Sequence, residues 1–278
     1  MLNMIKEKVS LFQTELNYRA KLWQHQRNLP VINSGDRLIV DTLKKEGVYI
    51  TSLEELGLSS TPKMLATANN YADSMVNPRD IHGEYKLPQI YTVTDLPEFF
   101  NWGIETRLQN IIEHYIGLPI AFHGVHLRKD FPNEQQLETL LWHKDSEDRR
   151  MIKVIMYLDD VTEEHGPFEY IPLPANLLER VKNYRVDYEL WRSNFLGIND
   201  EKIMKIIPQS AWKSCPGKAG TVIFADVRNI FHHGTVRNQE RSTVFFTYTA
   251  NPPKRPELCT QYHDDTFPKI KPQLGLKV

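Results

Sequence analysis

The stretch LLWHKDSEDRR at 140–150 places His143 and Asp145 two positions apart, just after a tryptophan. In extended backbone successive side chains alternate faces, so an imidazole and a carboxylate at i and i+2 project toward one point. Such a pair suits a divalent first-row metal, and two histidines with one carboxylate, leaving open positions, form the ligand set of non-haem Fe(II) oxygenases. A lone His-x-Asp is a weak signal, because a surface ion pair gives the same pattern. A third ligand must come from a strand distant in sequence, and GTVIFADVRNIFHHGT offers His232 and His233 just before Gly234. The two cannot both face inward on a regular strand. Arg241, in ERSTVFFTY, follows within about one hairpin, where its rigid fork could grip a carboxylate bidentately in the same cavity.

The elements that must position these groups fall into two textures. Residues 3–27 lack Gly and Pro and read as helix, and SGDRLIVDTLKKEG predicts a capped helix from about Ser34 to a stop at Gly47. VYITSLEEL gives a short strand and a helical turn, with Ser52 and Glu55 at capping-box spacing. Residues 60–92 show no clear period. Further on, Ile104, Leu108, Ile111, Ile112 and Tyr115 form one helical stripe. From 119 the chain turns to short runs rich in Val, Ile, Phe and Tyr between turn residues: PIAFHGVHLRKDF, LETLLWHKD, RRMIKVIMYLDDV, PFEYIP and the two segments above. Strands of this kind after a helical section predict an antiparallel barrel or jelly roll with helices packed outside. The charged, helical segment 173–213 reads as an insertion forming a cap near the pocket mouth.

Taken together, WHKDSEDRRMIKVIMYLDDVTEEHGPFEYIP, GTVIFADVRNIFHHGT and RSTVFFTYTA resemble the phytanoyl-CoA dioxygenase-like family of Fe(II)/2-oxoglutarate-dependent oxygenases. The likeness covers about 119–253. It implies a mainly β fold with flanking helices, a double-stranded β-helix (jelly-roll) core carrying N-terminal helices and a helical insertion. The cofactors implied are Fe(II), 2-oxoglutarate and O2, and the reaction is hydroxylation of an unactivated C–H bond of a small-molecule metabolite, with 2-oxoglutarate decarboxylated to succinate and CO2. Residue by residue, His143 and Asp145 match the proximal ligands and Arg241 the grip on the distal carboxylate of 2-oxoglutarate. Relatives differ in whether the last ligand lies one or two places before the glycine; HHGT follows the pattern that selects His232. Related halogenases have Gly or Ala in place of the carboxylate, so Asp145 favours hydroxylation. Where relatives continue IPGSH, this chain reads IPLPANLLERV, which leaves substrate contacts its own.

Lys153, Ile155 and Tyr157 alternate on one strand face, and Lys153 and Tyr157 are candidate cofactor-pocket residues. Arg128, sharing a face with His126, and Thr235 are further candidates for the 2-oxoglutarate site. Trp142 reads as packing, His165 as a solvated turn residue, and the run beyond Asp145 as a loop at the pocket rim. One domain is expected over 1–278: 1–118 mostly helical support, 119–253 the core and 254–278 a tail. A net charge of −1 gives no general drive toward nucleic acid or an anionic membrane. Cys215 and Cys259 are too few for a disulfide framework and are expected as free thiols in a reducing cytosol. Charges interrupt the first residues, so a signal peptide is not expected. These features lead to the expectation of a cytoplasmic enzyme with a small-molecule substrate and no nucleic-acid or membrane partner. A non-oxidative metal cupin and a protein-directed hydroxylase or demethylase are the alternatives; the cupin has no use for Arg241.

Overall fold

A computed structural model describes residues 2–76, 79–81 and 85–270. The first part holds α1 (Leu2–His25), α2 (Ser34–Glu46), β1 (Val48–Ser52), α3 (Leu53–Leu56) and α4 (Thr61–Ser74). Next come β2 (Arg79–Ile81), β3 (Tyr85–Leu87), β4 (Gln89–Thr92), α5 (Pro97–Gly103) and α6 (Thr106–Ile116). The remainder comprises β5 (Ile120–Asp130), β6 (Met151–Tyr157) and β7 (Phe168–Ile171), then α7 (Leu177–Arg192) and α8 (Asp200–Met204), then β8 (Lys213–Cys215), β9 (Thr221–Asp226), β10 (Phe231–Gly234) and β11 (Arg241–Ala250).

Two antiparallel sheets make the jelly roll. One has the order β1-β9-β6-β11-β5-β4, and the other β10-β7-β8. The strand alternation sorts side chains between two cores. Ile152, Val154 and Met156 of β6, with Val244, Phe246 and Tyr248 of β11, face the helical layer. Met151, Ile155 and Tyr157 turn the other way, toward Phe168 and Tyr170 of the small sheet. Lys153 belongs to that inner face, which is why a lysine of a central strand can reach the site between the sheets.

The helix over 34–46 forms as its sequence suggests: the Asn33 side chain accepts from the Asp36 amide at 2.8 Å, and Gly47 ends it at φ 82°. Ser52 likewise accepts from the Glu55 amide at 3.1 Å. The stripe expected from Ile104 to Tyr115 is interrupted. Gly103 packs so closely on Phe122 that a Cβ there would lie 2.4 Å from Cζ. Glu105 leaves the helical basin, and its carboxylate accepts from the Ser60 amide at 2.7 Å. Ile104 therefore falls in the break and is 37% exposed, while Leu108, Ile111, Ile112 and Tyr115 are buried. In 60–92, part of which (77–78 and 82–84) lies outside the described residues, α4 buries Met64, Ala68 and Ala72. Two alanines on the buried face hide its period from a hydrophobicity pattern.

The segment LETLLWHKD is not a strand. It makes a short 3-10 turn at Glu138–Leu140 and then isolated bridges, Trp142 to Ile198 and His143 to His232. Segment 173–213 supplies α7 and α8, which together with Ile198 between them pack Val186, Leu190 and Ile203 around Trp142 and Phe231. The tail expected from 254 includes two 3-10 turns and buries Tyr262; its residues 271–278 lie outside the described part. Cys215 and Cys259 are free and buried. No helix among the described residues is long and apolar enough to cross a membrane.

Candidate active site

The irregular stretch through His143 is held from both sides. Its amide donates to the His232 carbonyl at 3.0 Å, the His232 amide returns to the His143 carbonyl at 3.1 Å, and the Asp145 amide donates to Val227 at 3.0 Å. This pairing places β10 beside the His-x-Asp segment although the two histidines lie 89 positions apart. One ligand atom from each of His143, Asp145 and His232 lies within 4.8 Å of the others. The Asp145 carboxylate is 3.8 Å from the Nε2 of each imidazole.

The tautomers follow from the outer partners. His143 Nδ1 donates to the Leu141 carbonyl at 2.7 Å, which leaves Nε2 with its lone pair toward Asp145. His232 Nδ1 faces the Ile230 carbonyl at 3.5 Å in the same sense. Burial pushes both imidazoles below the ordinary histidine value, and His143 adds to the depression of His232. Both are therefore neutral, as metal ligation requires. Burial acts to raise Asp145, but Lys153 first, then His232 and His143, hold it below the usual carboxylate range. Lys153 Nζ lies 2.6 Å from that carboxylate, and burial, which would lower its ammonium, is outweighed by Asp145.

His233 turns to the opposite face. Its Nδ1 contacts the Leu140 carbonyl at 2.8 Å and its Nε2 the Glu169 carboxylate at 2.9 Å, while the ring stacks on Trp142 at 3.9 Å. Both ring nitrogens are thus engaged away from Asp145. Trp142 is fully buried and its indole N–H donates to Asp200 at 2.7 Å, a packing position as its sequence context suggests.

The same cavity is bordered by a cationic cluster. Arg128, Lys153, Ile155, Phe168, Arg241 and Phe245 line the same pocket as His143 and His232. Arg241 donates to the Asp130 carboxylate at 2.8 Å and Arg128 to its other oxygen at 2.7 Å. Arg237 Nη1 lies 2.9 Å from the same carboxylate, and its Nε has no acceptor among the described residues. Burial would raise Asp130, but Arg128, Arg237 and Arg241 hold it well below the carboxylate range. Burial lowers Arg237 to about 10. Two buried guanidinium groups and a partly buried third against one carboxylate leave an uncompensated positive charge, the environment in which a carboxylate ligand is stabilised. Gly234 makes room for the cluster, since a Cβ there would sit 3.0 Å from Arg237 Nη2 and 3.5 Å from Arg241 Nη2.

Of the residues singled out in the sequence, the fold brings together His143, Asp145, His232, Lys153, Arg128 and Arg241. Two others are turned to backbone partners. The Tyr157 hydroxyl donates to the Cys215 carbonyl at 2.9 Å and accepts from the Phe168 amide at 3.1 Å. The Thr235 hydroxyl donates to the Pro167 carbonyl at 3.4 Å. The sequence reading missed Asp130 and Arg237. Asp130 stands at i+2 from Arg128 and shares its face, a signal that was available; Arg237 lies in a turn with no period to mark it. The charged run after Asp145 is also more than a rim loop: Asp148 is buried and accepts from the Ala250 amide at 2.9 Å. Burial and the neighbouring Asp145 raise the buried Glu147.

A jelly roll in which two imidazoles and a carboxylate converge beside a pocket shared with a guanidinium cluster has the architecture of a non-haem iron oxygenase. The family model for phytanoyl-CoA dioxygenase (PhyH) matches residues 82–242, more than half of the chain. The chain belongs to this family, and it is an Fe(II)/2-oxoglutarate-dependent oxygenase whose family uses Fe(II), 2-oxoglutarate and O2. A search of curated proteins gave no significant match. Among solved structures, EctD from S. alaskensis with bound Fe aligns at TM-score 0.54 and 14% identity, over 87% of this chain and 82% of that one. EctD with 2-oxoglutarate and 5-hydroxyectoine aligns at 0.50 and 18%, over 80% and 77%. AviO1 from Streptomyces viridochromogenes Tue57 gives 0.50 and 14%, over 80% and 98%. At these identities the likeness concerns the fold alone.

Proposed function

We propose that His143, Asp145 and His232 hold ferrous iron, that Arg241 with Arg128 binds the distal carboxylate of 2-oxoglutarate, and that the enzyme hydroxylates an unactivated C–H bond of a small molecule. The observation that carries this reading is the convergence of three ligand atoms within 4.8 Å, two of them from histidines that line one pocket with Arg128 and Arg241. Two neutral imidazoles and an ionised carboxylate fit a divalent first-row cation. The bound iron, keto acid and O2 supply the oxidative chemistry, in which 2-oxoglutarate leaves as succinate and CO2.

The chain's own residues bind, orient and exclude water. Leu141 fixes the His143 tautomer through its carbonyl. Lys153 keeps Asp145 ionised and oriented. Asp130 holds Arg128 and Arg241 with their forks on one carboxylate, so that little ordering is left for ligand binding. Ile155, Phe168, Val227 and Phe245 give the cavity apolar walls, which strengthen every charge interaction inside it. With a carboxylate at 145, oxygen insertion is favoured over halide transfer. We read the chain as one oxygenase domain working in the cytosol, with substrate choice set by the inward-facing side of segment 173–213, where Val186, Leu190 and Ile198 pack around Trp142 beside the His143 ligand.

Purified protein with ferrous salt, ascorbate, 2-oxoglutarate and a metabolite extract tests this. Succinate formation is expected to rise with the extract, with a product heavier by one oxygen atom in the mass spectrum. Asp145→Ala should abolish both. Turnover unchanged in Asp145→Ala would sink the assignment.

A further inference from the structure

We propose that α1 and α7 form a lipid-contact face that docks the enzyme on an anionic bilayer. On α7 and the turn that follows it, Leu177, Val181, Tyr184, Tyr188, Trp191 and Phe195 recur at spacings of four and three, so they share one face. All six are between 51% and 76% exposed. The opposite face carries Val186 and Leu190, which are buried against the protein. The four aromatic side chains alone expose on the order of 500 Å², as much as the largest apolar patch on a typical monomer. Phe195 adds a backbone observation: it sits in the left-handed region at φ 62°, after Asn194 at φ 53°, yet its side chain is exposed. A bulky residue in that conformation is strained, and nothing among the described residues compensates by burying the ring. α1 presents a second row, Phe12, Leu16 and Trp23, all exposed.

Between the two helices runs a groove of about 860 Å³, walled by Glu15 and Tyr18 of α1 and by Arg180 and Tyr184 of α7. Its floor carries Lys44, Lys144, Arg149, Arg150, Arg228 and Lys254 against Asp226. Glu15 pairs with Arg149 at 3.4 Å and Asp187 with Lys144 at 2.8 Å. The ion pairs among the described residues leave Lys44, Arg150, Arg180, Arg228 and Lys254 without a carboxylate. Burial first, and then Arg149, Arg255 and Arg228, push the Lys254 ammonium down, the sign of a positive field lacking its anion. The net charge of −1 conceals this local polarity.

Tyr, Trp, Phe and Leu rows flanked by cations are the composition of a helix lying in a bilayer interface, with aromatic rings at headgroup depth and basic side chains reaching the phosphates. A second copy of the chain is a poorer occupant. Arg180 on one flank of the stripe and Arg185 and Arg192 on the other would meet like charges in a face-to-face pair. The proposal does not depend on the oxygenase reading, because no iron ligand belongs to this face.

The full-length protein provides its own probe. Trp102, Trp142 and Trp212 are buried, so a change in tryptophan emission on adding vesicles reports Trp23 and Trp191. Vesicles of phosphatidylcholine with phosphatidylserine should sediment the protein, shift its emission to the blue, and quench it when the acyl chains are brominated. Pure phosphatidylcholine vesicles should bind much more weakly, and high salt should release the protein. Tyr188→Ser/Trp191→Ser should weaken partition about tenfold or more, and Lys44→Ala and Lys254→Ala about fivefold each, all with iron-dependent 2-oxoglutarate consumption in solution unchanged. Absence of binding to anionic vesicles overturns the proposal, as does binding that none of these variants weakens. An emission shift with inorganic phosphate but not with vesicles would identify a soluble anion instead. A dimer lost in Tyr188→Ser/Trp191→Ser, without vesicle binding, would identify a second copy.

Discussion

Lys153→Met asks whether the lysine stands in for a cation that the site is built to receive. Lys153 Nζ lies 2.6 Å from Asp145, whose side chain is only 11% exposed. Removing one partner of such a pair leaves an uncompensated carboxylate, a loss of about 3–5 kcal/mol for a fully buried pair. The Lys153 side chain keeps 22% exposure, and solvent screening at that end puts the loss near the lower limit, about 3 kcal/mol. For a chain of this size that is a fall in Tm of about 6–12 °C. A divalent cation held by His143, Asp145 and His232 restores the missing counter-charge, so the variant should recover most of the deficit when loaded. Scanning calorimetry of wild type and Lys153→Met, each with and without Mn2+, measures the four corners of this cycle. The metal-induced rise in Tm should be larger in the variant. Equal rises in both proteins, or a metal-free variant as stable as wild type, would refute the coupling and with it the placement of the metal at Asp145.

Arg241→Ala should raise the KM for 2-oxoglutarate by about 30-fold or more, the loss of one charge-assisted pair of roughly 2 kcal/mol or above; steady-state succinate release reads it, and kcat should change less. Asp130→Asn should cost about 3–5 kcal/mol at neutral pH, because the buried Arg237 and Arg241 and the partly buried Arg128 lose their shared carboxylate. Since the folded Asp130 titrates below its unfolded value, its stabilising effect is present above about pH 4 and is lost as pH falls through the depressed folded value. Urea unfolding of wild type and variant should therefore converge at low pH. Metal affinity should stay flat from about pH 8 to about 6.5 and fall only below that, because burial holds His143 and His232 below the ordinary imidazole value; calorimetric titration with Mn2+ checks it.

Local chemistry was legible wherever it depended on neighbours in sequence. The capped α2, the inner-face alternation of Lys153 and Ile155, and the shared face of His143 and Asp145 all follow from the short repeats of helix and extended chain. Those repeats mislead where packing intervenes. Ile104 satisfied a helical period, but the close approach of Gly103 to Phe122 and the excursion of Glu105 toward Ser60 broke the helix there. Met64, Ala68 and Ala72 formed a buried face that carried too little hydrophobic contrast to be seen.

By itself the sequence determined the kinds of ligand available, the order of the segments that carry them and the oxygenase family, since side-chain chemistry and spacing are written residue by residue. Only the tertiary structure decided between His232 and His233, because both satisfy any linear rule. The pairing of β10 with β7 and with the His143 segment turns one ring toward Asp145 and seals the other between Trp142 and Glu169. The arginine cluster on Asp130 was decided in the same way: it joins residues 128, 130, 237 and 241 from two adjacent strands and a turn, and charges so far apart along the chain interact only once the sheet has closed.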